Sequence, residues 1–185
     1  MQKPITTKRL VLAPLKKAYF GILYNLIKKN NRELSRWTPI SYSVKKKKTV
    51  EFYRKTMKKK SECIFVITDK KTKKVLGQIH PIKNELMHSA TIGYWIGKKF
   101  RKKGYMTEAT QAVIAFCFEK WKVMRVEIAA EEKNNPSQRV IEKCGLQFEG
   151  IRRMGTYSGL KKYGNLKVYS ILKLEWEKKK TIPLE

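Results

Sequence analysis

The residues best suited by type and spacing to do chemistry run from Lys98 to Thr107. Lys98, Lys99, Arg101, Lys102 and Lys103 place five cations in six positions, Gly104 follows, and Thr107 opens an apolar stretch from Ala109 to Trp121. The start of a helix presents unpaired N–H groups and the positive end of its dipole. A loop of free amides in front of it is therefore a site for an anion, phosphate above all. Gly104 has no Cβ, so the backbone there can come close to such a ligand. A surface turn in a lysine-rich protein would carry the same residues, and one glycine in a basic loop does not separate the two readings.

Other reactive types are sparse. His80 and His88 are the only histidines, and they are too few and too isolated for a metal site. Cys63, Cys117 and Cys144 show neither paired nor zinc-type spacing. Cys63 and Cys117 lie in apolar runs and are expected as buried thiols, which fits a reducing compartment. Neither G-x-x-x-x-G-K-[ST] nor G-x-G-x-x-G occurs, so the loop is not a P-loop or a dinucleotide fingerprint.

Lys and Arg outnumber Asp and Glu by 43 to 15, for a formal net charge of +28. Such a charge attracts polyanions, makes association salt-dependent and repels free cations. A solvated lysine coat without a specific partner would have the same composition. The N-terminus lacks an apolar signal core, and the longest fully apolar run, Ala112 to Phe118, is far too short to span a bilayer. The expectation is a cytoplasmic protein with no membrane segment.

The elements that must position the basic loop read as follows. Residues 1–7 form a loose lead-in, and Arg9 to Ala13 is a strand stopped at Pro14. A helix from Leu15 to Lys29 carries Tyr19, Ile22, Leu23, Leu26 and Ile27 on one face and breaks at Asn30-Asn31. Leu34, Trp37 and Ile40 fall in an irregular connection, followed by a short helix from Val50 to Met57. Strands are expected at Cys63 to Thr68, Val75 to Ile82, Ser89 to Ile96 and Arg125 to Ala130. Asn135-Pro136-Ser137 starts a helix to Lys143, with proline in the first turn and Gly145 at its end. Gln147 to Arg152 is a strand, Tyr163 to Trp176 contains the last one, and a basic tail covers 178–185. The sum is one α+β domain over 1–185 with three layers. Helices cover both faces of a mixed, mostly antiparallel seven-stranded sheet, and the strands around residues 90–130 run parallel.

Two segments make the resemblance specific. Ile92-Gly93-Tyr94-Trp95-Ile96 followed by Arg101-x-x-Gly104-x-Met106-Thr107-Glu108-Ala109 resembles the acyl-CoA loop of the GNAT acetyltransferases, with Met106 where the family has glycine or alanine. Asn134 to Gly150, reading N-N-P-S-Q-R-V-I-E-K-C-G-L-Q-F-E-G, is similar to the second segment of the subgroup named for ribosomal-protein alanine and serine N-acetyltransferases. Thr7 to Leu12 resembles the first strand of that family, and Tyr169 to Leu172 with Trp176 its last. The ordered set covers roughly residues 7–177.

The resemblance implies a V-shaped splay between the central parallel strands, with acetyl-CoA as co-substrate lying in it and no metal. A bulge near Trp95 and Ile96 would free backbone groups for the pantetheine and thioester. Backbone amides of Arg101, Lys102, Lys103, Gly104, Tyr105 and Met106 would hold the pyrophosphate, with Thr107 also in the cofactor-binding set; Lys98, Lys102 or Lys103 would pair with outer phosphates, and Asn134 would bond the pantetheine. An amine would attack the thioester directly, without an acyl-enzyme. Many relatives protonate the leaving thiolate with a tyrosine, but Ile141 occupies that place here. Ser137 is the general acid the subgroup points to, and a serine beside Pro136 that only starts the helix is the other reading. The family's strand glutamate is replaced by Thr91. Glu127 is an alternative base if its face of the strand points into the cleft, and a strand-edge carboxylate paired with a lysine is its other reading.

The acceptor implied by the subgroup is a protein N-terminal α-amine, with the positive surface assisting contact with RNA or the ribosome. The alternatives are a small-molecule amine acetyltransferase and a basic nucleic-acid-binding protein on an inactive acetyltransferase scaffold. The basic runs lack the interleaved aromatics of a base-stacking platform. Tyr157, Tyr163 and Tyr169 are candidates to line an acceptor cleft.

Overall fold

Eight strands form one sheet in the order β1-β2-β3-β4-β5-β6-β8-β7 in a computed structural model that describes residues 2–39 and 44–181, the side chains of Lys180 and Thr181 apart. The strands are β1 (Ile5–Thr6), β2 (Leu10–Pro14), β3 (Phe65–Asp69), β4 (Val75–Asn84), β5 (Ser89–Ile96), β6 (Arg125–Glu131), β7 (Gln147–Tyr157) and β8 (Tyr163–Leu172). The helices are α1 (Phe20–Trp37), α2 (Lys46–Thr56), α3 (Tyr105–Glu119), α4 (Asn135–Lys143) and α5 (Lys173–Thr181). All neighbouring strands are antiparallel except β5 and β6.

Period-two burial explains the layers. On one face, Ala90, Ile92 and Ile96 of β5 and Val126, Ile128 and Ala130 of β6 meet Ala109, Val113, Ile114 and Cys117 of α3 and Ile141 of α4. On the other, Val66 and Trp95 pack with Phe20, Leu23, Ile27 and Leu34 of α1 and Tyr53 of α2. Burying such side chains stabilises by about 1.5–3 kcal/mol each, which is why alternate strand positions commit to opposite helices. The two inner strands approach closely at Gly77, where a Cβ would stand 2.2 Å from the Trp95 carbonyl oxygen.

Several boundaries differ from the sequence reading. Ile5–Thr6 pairs with Val11 and Leu12, so the expected lead-in supplies an eighth strand. Asn30-Asn31 does not end α1, because Asn30 Nδ2 donates to Leu26 O at 2.7 Å and keeps its side chain on the helix. Leu34 and Trp37 are thus helical, and Thr38 ends the helix in extended backbone. Ile40, from the same expected connection, lies outside the described residues, as do 182–185 of the tail. Ile22, assigned to the buried face, is exposed. Helix α2 starts at Lys46 rather than Val50, and the tail begins as α5. The three cysteines are unpaired. No helix among the described residues is long and apolar enough to cross a membrane.

Candidate active site

Strand β5 is bonded to β6 for only three residues, Ser89↔Arg125, Ala90↔Val126 and Thr91↔Glu127. Beyond that point β5 runs to Ile96 and β6 to Glu131 with no further pairing between them among the described residues. On its other side β5 stays in unbroken register with β4, from Asn84↔Ser89 to Gly77↔Ile96. The expected bulge near Trp95 and Ile96 is therefore absent, and the free groups arise from the departure of β6 instead. Gly97 N–H donates to Leu76 O at 2.9 Å, so by alternation Trp95 also turns its backbone to β4. Ile92, Tyr94 and Ile96 point their N–H and C=O groups into the gap. Of the predicted pair, Ile96 faces the opening, while Trp95 is a buried core residue with its backbone committed to β4.

The loop after β5 reaches α3 through Gly104, whose φ of +75° is left-handed. Lys102 is left-handed as well, at φ 60°. No side chain caps α3, and Glu108 N–H is bonded to Gly104 O at 3.1 Å. The N–H groups of Tyr105, Met106 and Thr107 precede that bond and remain for an external acceptor. The helix dipole adds positive potential at the same place.

The side chains of Arg101, Tyr105 and Met106 are taken by the scaffold, whereas those of Lys102 and Lys103 are exposed. Arg101 Nη1 pairs with Glu33 Oε1 of α1 at 3.1 Å, and its N–H donates to Lys98 O. Tyr105 OH donates to Asp69 Oδ2 at 3.2 Å, and Arg9 lies 4.7 Å above its ring. Met106 is buried in the core, which accounts for a large side chain at that position. Thr107 O accepts the Cys144 thiol. Glu108 accepts from Thr7 Oγ1 at 2.6 Å, Arg9 N at 2.7 Å and Arg9 Nε at 2.6 Å, while Arg9 Nη1 donates to Lys103 O at 2.8 Å. Burial pushes the Glu108 carboxyl up, but these donors outweigh it and hold it below the ordinary range. Sequence reasoning missed this clamp, because its partners lie about a hundred residues apart.

Asn134 caps α4, its Oδ1 accepting Ser137 N–H at 3.3 Å. That occupies the acceptor atom and leaves the Nδ2 donor for a ligand. Ser137 Oγ is 3.0 Å from Tyr94 OH, and Tyr94 OH also reaches Ser137 O at 3.3 Å. Burial pushes the Tyr94 hydroxyl well above its ordinary value, so it stays protonated. Glu127 is not brought to this group. It lies on the opposite face of the sheet, with Oε2 on Arg125 Nη2 at 3.0 Å and Oε1 on Arg152 Nη2 at 3.3 Å. Both oxygens being committed to guanidinium groups, the expected base reads instead as one link of a structural ion chain. Arg125 continues that chain to Glu149, which also accepts from Ser170 Oγ at 2.7 Å.

The remaining candidates lie as follows. Burial pushes the thiols of Cys63 and Cys144 up to about 12 and raises that of Cys117, so none supplies a thiolate. His80 Nε2 pairs with Glu62 Oε2 at 3.1 Å. Tyr169 is buried, while Tyr157 and Tyr163 are exposed near the β7–β8 turn, their rings 4.8 Å apart and tilted by 51°. Among the described residues no cluster of His, Cys, Asp and Glu is assembled for a metal.

Comparison with known proteins places this arrangement. The sequence model of the acetyltransferase (GNAT) domain matches residues 9–147. YdaF of Bacillus subtilis, provisionally named a ribosomal N-acetyltransferase, is 40% identical over 98 residues, 52% of this chain and 52% of its own. The chain spans about half the length of the curated relatives it matches. RimL, a ribosomal alpha-N-protein acetyltransferase solved in complex with coenzyme A, superposes with a TM-score of 0.85 at 18% identity, over 92% of this chain and 98% of its own. An acetyltransferase of the GNAT family from Bacillus anthracis gives 0.81 at 24% identity, over 94% and 100%.

Proposed function

Because the chain belongs to the acetyltransferase (GNAT) domain family, we propose that it transfers the acetyl group of acetyl-CoA directly to a primary amine, a protein N-terminal α-amine in particular. The observation that carries this reading is the parting of β5 from β6 after Thr91, which opens the backbone of Ile92, Tyr94 and Ile96. An extended pantetheine arm fits such a gap as a further strand would, hydrogen-bonding to free N–H and C=O groups. Its pyrophosphate would meet the amides of Tyr105, Met106 and Thr107 beneath Gly104, with Lys98, Lys102 and Lys103 close in sequence as counter-charges. Asn134 Nδ2 is the donor for the pantetheine amides.

In this reading the amine nitrogen forms a bond to the thioester carbon, and the carbon–sulfur bond breaks. A backbone N–H in the gap stabilises the oxyanion. The protons balance if Ser137 relays them: its hydroxyl proton goes to the leaving sulfur while its oxygen takes up, directly or through water, the proton that the nitrogen sheds. With both oxygens held by arginines, Glu127 is not free to deprotonate a strongly basic amine. An α-amine, with a pKa near ~8, is neutral far more often than a lysine at ~10.4. This favours a peptide N-terminus over a lysine-like acceptor. RimL is by its name an alpha-N-protein acetyltransferase, and YdaF is named for ribosomal N-acetylation.

The positive surface supports an accompanying contact with RNA. Lys45–Lys48 and Lys58–Lys60 are exposed around α2, and Glu51 and Glu62 are the carboxylates paired there, with Lys55 and Lys59. The three free thiols support a reducing compartment, the cytoplasm.

The test is thiol release from acetyl-CoA at moderate salt, against pooled N-terminal peptides and, separately, small amines. Release dependent on peptide is expected. Release with small amines alone would replace the protein acceptor by a metabolite. Failure to bind acetyl-CoA would end the reading altogether.

A further inference from the structure

We propose that Tyr94 is a positioning residue that sets where the Ser137 hydroxyl proton points, and so whether that proton is available to the leaving sulfur. The inference rests on the acetyltransferase reading above. Tyr94 sits in the middle of the freed segment of β5, and its side chain crosses to the first turn of α4, 43 residues away. There it reaches two oxygens of one residue, Ser137 Oγ at 3.0 Å and Ser137 O at 3.3 Å. The serine N–H is already spoken for by Asn134, through O at 3.0 Å and Oδ1 at 3.3 Å, so the backbone of Ser137 is fixed.

A phenol has one proton and can accept as well as donate. That leaves two arrangements. In one, Tyr94 donates to Ser137 O and accepts the serine proton, which is then parked against β5. In the other, Tyr94 donates to Ser137 Oγ, and the serine proton is released to a third partner. A sulfur that gathers negative charge as its bond to carbon breaks draws the second arrangement. Tyr94 keeps its own proton in both, so the chemistry stays on Ser137 and the tyrosine acts through it. The same geometry gives the serine a reason to lie on the β5 side of α4 beyond starting the helix.

The experiment compares Tyr94→Phe, Ser137→Ala and the double variant in peptide-dependent CoA release, with acetyl-CoA affinity measured alongside by calorimetry. Phenylalanine keeps the ring that packs under α4 and removes only the hydroxyl. The expected result is a fall in kcat of about tenfold or more for each single variant, with KM for acetyl-CoA within about twofold of wild type. The double variant is expected to be no slower than Ser137→Ala, because Tyr94 has no role once the serine hydroxyl is gone. Replacing Tyr94 by 3-fluorotyrosine, which retains a hydroxyl, should restore kcat. Wild-type kcat in Tyr94→Phe, or single effects that multiply in the double variant, would overturn the proposal. A wild-type protein that binds acetyl-CoA but releases no thiol with any acceptor would overturn the transferase reading and this inference with it. An intact wild type beside an unaffected Tyr94→Phe would overturn the inference alone.

Discussion

Thr91 and Glu127 stand opposite each other at the last bonded pair of β5 and β6, on the same face of the sheet, and the glutamate is bridged by Arg125 and Arg152. The carboxylate that resembling strands carry at the Thr91 position is thus found one strand over, locked between two guanidinium groups at the point where the sheet opens.

Glu127→Gln should therefore act on stability rather than on proton transfer. It leaves two guanidinium groups without their shared anion, and the pair is partly shielded, with the Glu127 side chain 20% exposed. A loss of about 1–3 kcal/mol is expected in urea denaturation. The pH profile of kcat should keep its wild-type limbs. Disappearance of the low-pH limb, on which activity rises as a base loses its proton, would show Glu127 to be the base after all.

Glu149 predicts an acid sensitivity. The Arg125 hydrogen bond, with help from Ser170, draws its carboxyl down to about 2 from 4.5. A carboxyl depressed in the folded state binds fewer protons there than when unfolded. Its stabilisation is thus present above about 4.5 and is lost as pH falls toward about 2. Glu149→Gln should flatten the stability profile across that window and leave its slope unchanged above pH ~6. A wild-type slope in the variant would dismiss Glu149 as the source.

Gly104→Ala is expected to weaken acetyl-CoA binding more than it weakens the fold. The left-handed φ of +75° costs a residue with a Cβ about 1–2 kcal/mol, and the new methyl group would face Arg9 Nη2 at 3.2 Å. Since Arg9 also holds Lys103 O, any relief moves the loop itself. Calorimetric titration with acetyl-CoA beside thermal melting separates the two effects.

Gly77→Ala tests the seam between β4 and β5. Its methyl group would meet Trp95 O at 2.2 Å and Ile96 Cα at 2.8 Å, both backbone atoms that yield only if the strands move apart. Overpacking of this kind costs about 1–3 kcal/mol. A melting temperature within a degree of wild type would mean that the two strands are looser than their register implies.

Replacing Lys46, Lys47, Lys58 and Lys60 by glutamine should lower affinity for single-stranded RNA and reduce the slope of log K against log salt. The reduction should be about 0.7 for each phosphate that is no longer neutralised. Four neutralisations on another exposed surface serve as the comparison. An equal effect from both sets would show that the charge acts as a whole and not through α2.

Short-range chemistry was readable along the chain. The basic loop, Gly104 in front of α3, the Asn134–Ser137 start of α4 and the alternation of β5 all depend on residues within a turn or a strand of one another, so spacing alone reveals them. Contacts between distant segments were not. The continuation of α1 past Asn30-Asn31 needed the Asn30–Leu26 bond together with Leu34 buried in the α1–α2 core. Strand β1 exists only because Val11 and Leu12 lie beside it. Tyr94 stood in the sequence only as part of the strand motif until α4 brought Ser137 to its hydroxyl, and Glu127 stood between a base and a paired strand-edge carboxylate until β7 brought Arg152. An amino-acid type states what a side chain can donate, accept or bury. Which partner takes up that capacity is decided by folding, because hydrogen bonds act over about 3 Å and only the tertiary structure sets distances between residues far apart in sequence.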